Sequence, residues 1–107
     1  MLNKIELMGR LTADPELRYT TNQKPVCMWT LAVERDYAAG GERQTDFVDC
    51  VVWNQGAEFV SRNWVKGKMM ALTGRLQSRK WTDSNGQTRV EWEVNAENVY
   101  FCGDKHD

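Results

Sequence analysis

Apolar and polar residues alternate along much of this chain, with the period of two that is typical of β-strands. Trp29 lies on the apolar side of one alternating stretch, so we predict that it belongs to the core. The apolar side of the last stretch is predicted to point inward as well, with Val90, Trp92, Val94 and Ala96. The five alternating stretches are residues 5–11, 29–34, 46–53, 70–76 and 89–96.

One stretch, residues 55–66, changes to the helical period. Ala57, Val60 and Trp64 fall at helical spacing there, and Gly67 suits a left-handed cap at the end of a helix. This is the one convincing helix of the sequence, and it lies between the third and fourth strands. The pattern itself indicates a small β-rich domain, because alternation does not report barrel closure. The order of elements is that of an all-β OB-fold, a five-stranded Greek-key barrel, and we favour the barrel because it leaves no long free edges.

The third predicted strand has apolar residues on both of its faces. The face that includes Cys50 is entirely apolar, and we assign it to the core. Phe47 and Trp53 therefore point outward, with Asp49 between them. This arrangement leaves apolar area exposed to water unless the two rings stack on a ligand or are covered by a partner subunit.

Residues 74–87 combine cationic side chains and a tryptophan on a predicted hairpin. Asn85-Gly86 suits a two-residue turn, because both residues tolerate positive φ. Trp81 then lies on a projecting arm beside Arg79 and Lys80. A flat ring offers a base a surface for stacking, and the cations can pair with phosphate. Proteins bind single-stranded nucleic acid through this combination of contacts. The alternative is that Trp81 folds back onto the core.

The length and composition indicate one small domain. We place it at residues 1–102 of the 107, with a short C-terminal segment at residues 103–107. No apolar run approaches the roughly 20 residues that cross a bilayer, and residues 1–10 lack the apolar segment of a secretion signal. We therefore expect a cytoplasmic protein. The three cysteines are odd in number and widely spaced, so we expect buried thiols rather than disulfides or a zinc site.

The net charge of −1 hides an uneven distribution along the chain. Residues 59–82 carry six Lys and Arg and no acid, whereas residues 36–58 and residues 83–107 each sum to −4. Phosphates respond to the local potential, so a basic stripe can bind nucleic acid on a protein whose total charge is negative. The alternative is that the basic run is an ordinary solvated face.

The sequence lacks a catalytic constellation. His106 is the only histidine, and it lies in the last few residues, which argues against a histidine-based triad or a multi-histidine metal site. Asp46 and Asp49 are three positions apart on a strand, so their side chains point to opposite faces. No phosphate-cradling glycine loop is present either. We expect no enzyme activity, no metal and no cofactor.

Several short motifs occur in a characteristic order. They are Asn3-Lys4-Ile5 leading to Gly9, Asp14-Pro15-Glu16-Leu17-Arg18-Tyr19, Thr30-Leu31-Ala32-Val33, Asp46-Phe47, Val52-Trp53, Gly74-Arg75-Leu76 and Arg79-Lys80-Trp81-Thr82-Asp83. Together they resemble the bacterial and phage single-stranded DNA-binding proteins over residues 3–101. The resemblance implies an OB-fold, a homotetramer that wraps single-stranded DNA, and work in DNA replication, recombination and repair without catalysis.

The resemblance also suggests which residues bind DNA. The positions where the family has its base-stacking aromatic rings are occupied here by Tyr37, Phe47, Trp53 and Trp81. Stacking depends little on base identity, so these rings would bind with weak sequence preference. Arg79 and Lys80 are the strongest candidates for phosphate contacts. The full set of phosphate candidates is Lys4, Arg10, Arg18, Arg35, Arg75, Arg79 and Lys80.

Two features depart from the family pattern. Asp49 occupies a position where many relatives have a neutral or basic residue, and a carboxylate there would repel phosphate. The family usually continues into a flexible linker and an acidic tip that recruits replication and repair proteins, whereas this sequence stops at residues 103–107. Either the sequence has been cut or it is a short form of the kind that phages sometimes encode. If it is complete, recruitment through that tip is absent.

A second function of a different class fits the same fold. A primosome-assembly OB protein acts mainly as a protein-interaction module, and in such a protein Phe47 and Trp53 would pack against another protein. The basic hairpin is the feature that this alternative does not explain.

Overall fold

The computed structural model describes residues 1–36 and 39–103. These residues form six strands, one α-helix and a short 3-10 turn at Ala39–Gly41. The helix α1 is Gln55–Asn63, between β4 and β5. The strands are β1 (Ile5–Leu11), β2 (Glu16–Tyr19), β3 (Pro25–Glu34), β4 (Thr45–Trp53), β5 (Met69–Thr82) and β6 (Thr88–Phe101).

Five of the strands close into a ring. The order in the sheet is β1-β5-β6-β4-β3, and β1 also pairs with β3, which completes the barrel. All the pairs are antiparallel except the parallel pair of β4 and β6. The predicted five-stranded OB-fold barrel, with its helix between the third and fourth barrel strands, is therefore confirmed. The short strand β2, which pairs with β3 at the edge, was not predicted.

A glycine permits the closure between β1 and β3. A Cβ atom on Gly9 would lie 2.5 Å from the carbonyl oxygen of Ala32, much too close for any real side chain. The neighbouring residue Arg10 pairs with Ala32 in the register of these strands. Because Gly9 has no side chain, the two backbones can approach closely enough to close the barrel.

The barrel core is filled by the inward faces of the strands and capped by α1. Trp29 is 6% exposed and lies in the core, as its position in the alternation predicted. Ala57 and Val60 of α1 are fully buried against the barrel, and the neighbouring Trp64 is 1% exposed. In the described part of the chain, no helix is both long and apolar enough to span a membrane.

The helix is shorter than predicted. It ends at Asn63, because Trp64 has extended backbone angles and serves as the C-cap. The indole of Trp64 donates to the carbonyl oxygen of Met69 at 3.0 Å, which holds this residue against the start of β5. Gly67 has a positive φ of 86°, as expected for a glycine, but it lies in the following turn, where its N–H donates to Leu11. The prediction that Gly67 caps the helix is therefore wrong.

The thiols are free, and two are buried. Burial raises the pKa of Cys27 to about 11 and that of Cys50 to about 12, so both stay protonated at neutral pH. Cys102 is partly exposed, which differs from the prediction for this residue.

The hairpin of β5 and β6 is longer than the barrel. Each strand has 14 residues, and their pairing continues from Met70 to Thr82 on β5. Leu72 and Val94 are buried, but Val90 and Trp92 are 49% and 60% exposed. The prediction that Val90 and Trp92 point into the core is wrong, because none of the described strands covers this end of the hairpin. We call residues 77–93 the arm.

The turn at the tip of the arm is wider than predicted. Thr82 and Thr88 form the last pair of the ladder, so five residues connect the strands. Of Asn85 and Gly86, only Gly86 has a positive φ. Asp83 organises the loop instead, since its Oδ1 accepts from the N–H groups of Asn85 and Gln87, each at 2.9 Å.

Candidate nucleic-acid interface

The pairing register brings three strands together on one outward face. Val51 of β4 pairs with Asn95 of β6, and Asn95 pairs with Arg75 of β5. Residues two positions away along each strand share this face, because side chains alternate across a sheet. We call it the outer surface. It carries Phe47, Asp49, the buried Val51 and Trp53 of β4, and Arg75, Gln77, Arg79 and Trp81 of β5.

Three of the predicted aromatic residues lie exposed on the outer surface. Phe47 is 69% exposed, Trp53 is 41% exposed and Trp81 is 42% exposed. Phe47 and Trp53 are separated by about 20 Å along β4, at about 3.4 Å per residue. Trp81 lies farther out, near the tip of the arm. Tyr37, the fourth predicted aromatic residue, lies outside the described residues.

Most of the predicted phosphate contacts already have polar partners. Arg10 donates through Nη1 to the carbonyl oxygen of Gly67 at 2.9 Å. Among the residues that the structure describes, Arg75 and Lys80 have no ion-pair or hydrogen-bond partner. The other four pair with carboxylates: Lys4 with Glu97, Arg18 with Glu16, Arg35 with Asp46, and Arg79 with both Glu91 and Glu93.

Arg79 forms ion pairs with two carboxylates that are not close to it in the sequence. Its Nη2 lies 3.0 Å from Glu91, and its Nε lies 3.4 Å from Glu93. Both acids come from β6, which follows the acid-free stretch in sequence but pairs with it in the fold. A phosphate that binds Arg79 must therefore displace two carboxylates. A phosphate that binds Lys80 or Arg75 displaces none.

A cleft opens where β4 and β6 separate. Only two residue pairs join these strands, Cys50 with Val94 and Val51 with Asn95. Beyond them the strands diverge and enclose a volume of about 300 Å³ between the barrel and the arm. Its lining includes one cation, Arg79, and five carboxylates: Asp14, Glu16, Asp49, Glu91 and Glu93.

The acidic cleft determines how a polyanion can cross the outer surface. Asp49 accepts a hydrogen bond from the hydroxyl of Thr30 at 2.9 Å, which fixes its carboxylate beside the cleft. The cleft lies between the β4 rings and the arm, so phosphates that pass directly from one to the other would meet several negative charges. A strand that contacts Phe47, Trp53 and Trp81 would therefore keep its phosphates away from the cleft.

The pKa values of two carboxylates, the largely covered Asp83 and the exposed Asp46, are shifted. Hydrogen bonds from the backbone N–H of Gln87, the Arg89 side chain and the N–H of Asn85 lower the pKa of Asp83. The bidentate bond from the Arg35 guanidinium lowers the pKa of Asp46, through Nε and Nη2 at 2.9 Å each. These ion pairs hold the arm tip and the start of β4 in place.

Sequence reasoning missed Trp92 as a surface residue. The alternation correctly indicated that Trp92 shares a face with Val94, but it did not reveal where the core ends. Lys80 gives the missing signal: it pairs with Val90, and the two belong to the same face as Trp92. Because lysine is almost never fully buried, that face must leave the core before Lys80.

Comparisons with known proteins give a consistent result. The sequence model of the Single-strand binding protein family matches residues 2–102. The chain is 47% identical over 106 residues to the Single-stranded DNA-binding protein of Caldanaerobacter subterraneus subsp. tengcongensis. It is 46% identical over 107 residues to the Single-stranded DNA-binding protein A of Bacillus subtilis, and 44% identical over 108 residues to the Single-stranded DNA-binding protein 2 of Listeria monocytogenes.

The alignments span nearly the whole of this chain but not the whole of the relatives. They include 98%, 99% and 100% of this chain for the three proteins in that order. They include 71%, 62% and 68% of the relatives' own lengths. The matched part of each relative contains the segment that corresponds to the barrel and the arm.

Proposed function

This chain belongs to the single-strand binding protein family, and from that premise we propose that it binds and protects single-stranded DNA without strong sequence preference. Its role is in DNA replication, recombination and repair, and it involves no catalysis. Relatives named single-stranded DNA-binding proteins, at 44 to 47% identity, support this proposal. The observation that carries it on this chain is the set of exposed rings on one outer surface.

We propose that Phe47, Trp53 and Trp81 stack against bases. These three rings are exposed on one face of the sheet, Phe47 and Trp53 on β4 and Trp81 on β5, and both strands pair with β6. Each stacked base contributes about 1 to 3 kcal/mol and imposes little sequence preference, because every base has a flat π-face. We assign the same role to Tyr37 on the family resemblance alone.

We propose that the phosphates bind mainly to Arg75 and Lys80. These two cations have no partner among the described residues, so a phosphate displaces no carboxylate when it binds. For each phosphate that a cation neutralises, the slope of log affinity against log salt concentration becomes more negative by about 0.7. The paired cations Lys4, Arg10, Arg18, Arg35 and Arg79 contribute less, because they must first exchange their present partners.

We propose a homotetramer as the functional assembly. Met8 of β1, Ala71 of β5 and Tyr100 of β6 are aligned in one row on the outside of the barrel. Met8 is 57% exposed and Tyr100 is 50% exposed, and packing of a second copy would remove this apolar area from water. Replication and repair proteins are the expected further partners, and the bacterial relatives support a location in the bacterial cytoplasm or nucleoid.

A gel-shift titration with labelled oligo-dT, duplex DNA and RNA of equal length tests the proposed function. We expect tight binding to oligo-dT at low salt and weaker binding to the duplex, whose bases cannot stack on the rings. Light scattering on the same samples gives the subunit count. A preference for duplex DNA, or a monomer that binds no strand, would contradict the proposal and favour the protein-interaction alternative.

A further inference from the structure

The arm has a second face, which carries Lys80 but none of the aromatic rings that were predicted to stack on DNA. Trp92 pairs with Ser78, and Val90 pairs with Lys80, so these four side chains lie opposite the face of Trp81. Leu76 continues the same row toward the barrel. We call Leu76, Ser78, Lys80, Val90 and Trp92 the reverse face.

The reverse face exposes three apolar side chains side by side, Leu76, Val90 and Trp92. Trp92 is 60% exposed, which is more than Trp53 or Trp81, and the structure shows no ring partner for it among the described residues. Val90 and Leu76 are 49% and 39% exposed beside it. A contiguous apolar strip of this kind on a projecting hairpin is typical of a contact surface.

The charge of the reverse face is complementary to nucleic acid. Lys80 is its only charged residue, and it has no ion-pair partner in the described part of the chain. On the opposite face of the arm, Arg79 and Arg89 are paired with carboxylates. The unpaired cation of the arm therefore lies on the side of Trp92 and not on the side of Trp81.

Resting on the proposed function, we propose that Trp92 is a further base-stacking contact, with Lys80 as its phosphate partner. Lys80 and Trp92 are diagonal neighbours on paired strands, at a distance of about 7 to 8 Å, which long and aromatic side chains bridge. A base on the ring of Trp92 can thus keep its own phosphate near the ammonium group. The arm would then bind single-stranded DNA on both of its faces.

The acidic cleft is compatible with this contact. Trp92 borders the cleft, whose carboxylates repel phosphates but not the uncharged base. Lys80 lies farther along β5 toward the arm tip and does not line the cleft. The base therefore approaches Trp92 from the side of the tip, and the phosphate remains outside.

Three substitutions at one position separate stacking from other roles. Trp92→Ala removes the ring, Trp92→Phe retains a flat ring, and Trp92→Leu retains an apolar side chain that cannot stack. The exposed position leaves the barrel unchanged, and urea unfolding verifies this for each variant. We expect the Ala and Leu variants to lose at least about fivefold in affinity for oligo-dT, and the Phe variant to stay close to the original.

Photocrosslinking to bromodeoxyuridine-substituted oligo-dT, followed by peptide mass spectrometry, provides the direct readout. The proposal requires a crosslink at Trp92 in the unaltered protein. If the protein binds oligo-dT and crosslinks elsewhere but not at Trp92, and all three variants keep full affinity, the inference is wrong while the proposed function stands. If the unaltered protein binds no oligo-dT, the proposed function itself fails.

A second copy of the chain is the competing occupant of the reverse face. In that case Trp92→Ala would lower the molar mass in sedimentation at equal protein concentration, and Trp92→Leu would largely preserve it. Such a result together with unchanged affinity for oligo-dT would overturn the proposal.

Discussion

The two halves of the β5–β6 hairpin share one ladder but have opposite roles. In the barrel half, Leu72 and Ala96 are buried at 2% and 5% exposure. In the arm half, residues at the equivalent positions of the alternation, such as Val90 and Trp92, are largely exposed. The alternation determines which side chains share a face, whereas the neighbouring strands determine whether that face is covered. The same pattern therefore builds a core at one end and a contact surface at the other.

Matched truncations in the two halves of the hairpin should differ most in their effect on the free energy of unfolding. Leu72→Ala removes a fully buried side chain and should lower the free energy of unfolding by about 2 to 5 kcal/mol. Val90→Ala removes a half-exposed side chain and should change it by less than about 0.5 kcal/mol. Urea unfolding at one fixed protein concentration measures both. Equal losses in the two variants would mean that the arm is covered in solution.

Removal of single rings from the outer surface should separate binding from stability. Trp53→Ala and Trp81→Ala should each weaken binding to oligo-dT by about 1 to 3 kcal/mol, because each removes one stacking surface. Titration of intrinsic fluorescence follows binding, since Trp29 and Trp64 are buried and should respond little. Trp81→Phe is the control that keeps a ring. Unchanged affinity in Trp81→Ala would show that Trp81 does not stack on a base.

Neutralisation of two adjacent cations on the arm tests the importance of their partners. Lys80→Gln should reduce the magnitude of the salt slope by about 0.7, the value for one lost phosphate contact. Arg79→Gln should reduce it less, because Glu91 and Glu93 already occupy that guanidinium. Affinities for oligo-dT at several salt concentrations give both slopes. A larger effect for Arg79 than for Lys80 would contradict this distribution of contacts.

The smallest expected effect is the pH dependence of the arm tip. The hydrogen bonds of the folded loop lower the pKa of Asp83 from its ordinary value of 3.8. The ionised carboxylate therefore stabilises the turn at pH values above 3.8, and this stabilisation is lost as the pH falls below 3.8 and through the lowered pKa. Acidification should shift the amide resonances of Asn85 and Gln87, which donate to Asp83. Asp83→Asn should abolish this titration. A resonance shift that persists in this variant would assign the effect to another group.

Much of the barrel could be predicted from the sequence because its signals are local. The alternation in β3 and β4 correctly oriented Trp29 inward and Phe47 and Trp53 outward. The helical spacing around Val60 located α1. The four residues of β2 were missed, because so short a run shows no clear period.

The candidate site was less predictable because its decisive contacts are not local. The stretch at residues 59–82 contains no acid, yet strand pairing brings Glu91 and Glu93 against Arg79. The exposure of Trp92 depends on the absence of a covering strand, which alternation cannot report. The register of β4 with β6 likewise determines the position of Asp49 at the cleft.

Amide hydrogen exchange with and without oligo-dT tests the central claim most directly, since it compares the two halves of the hairpin in one experiment. We predict that oligo-dT slows exchange in residues 77–93 and around Phe47, Trp53 and Arg75, and leaves the rest of the barrel half of the hairpin, including Leu72, unchanged. Tight binding without any protection of residues 77–93 would contradict the account, because the strand would then bind without using the arm.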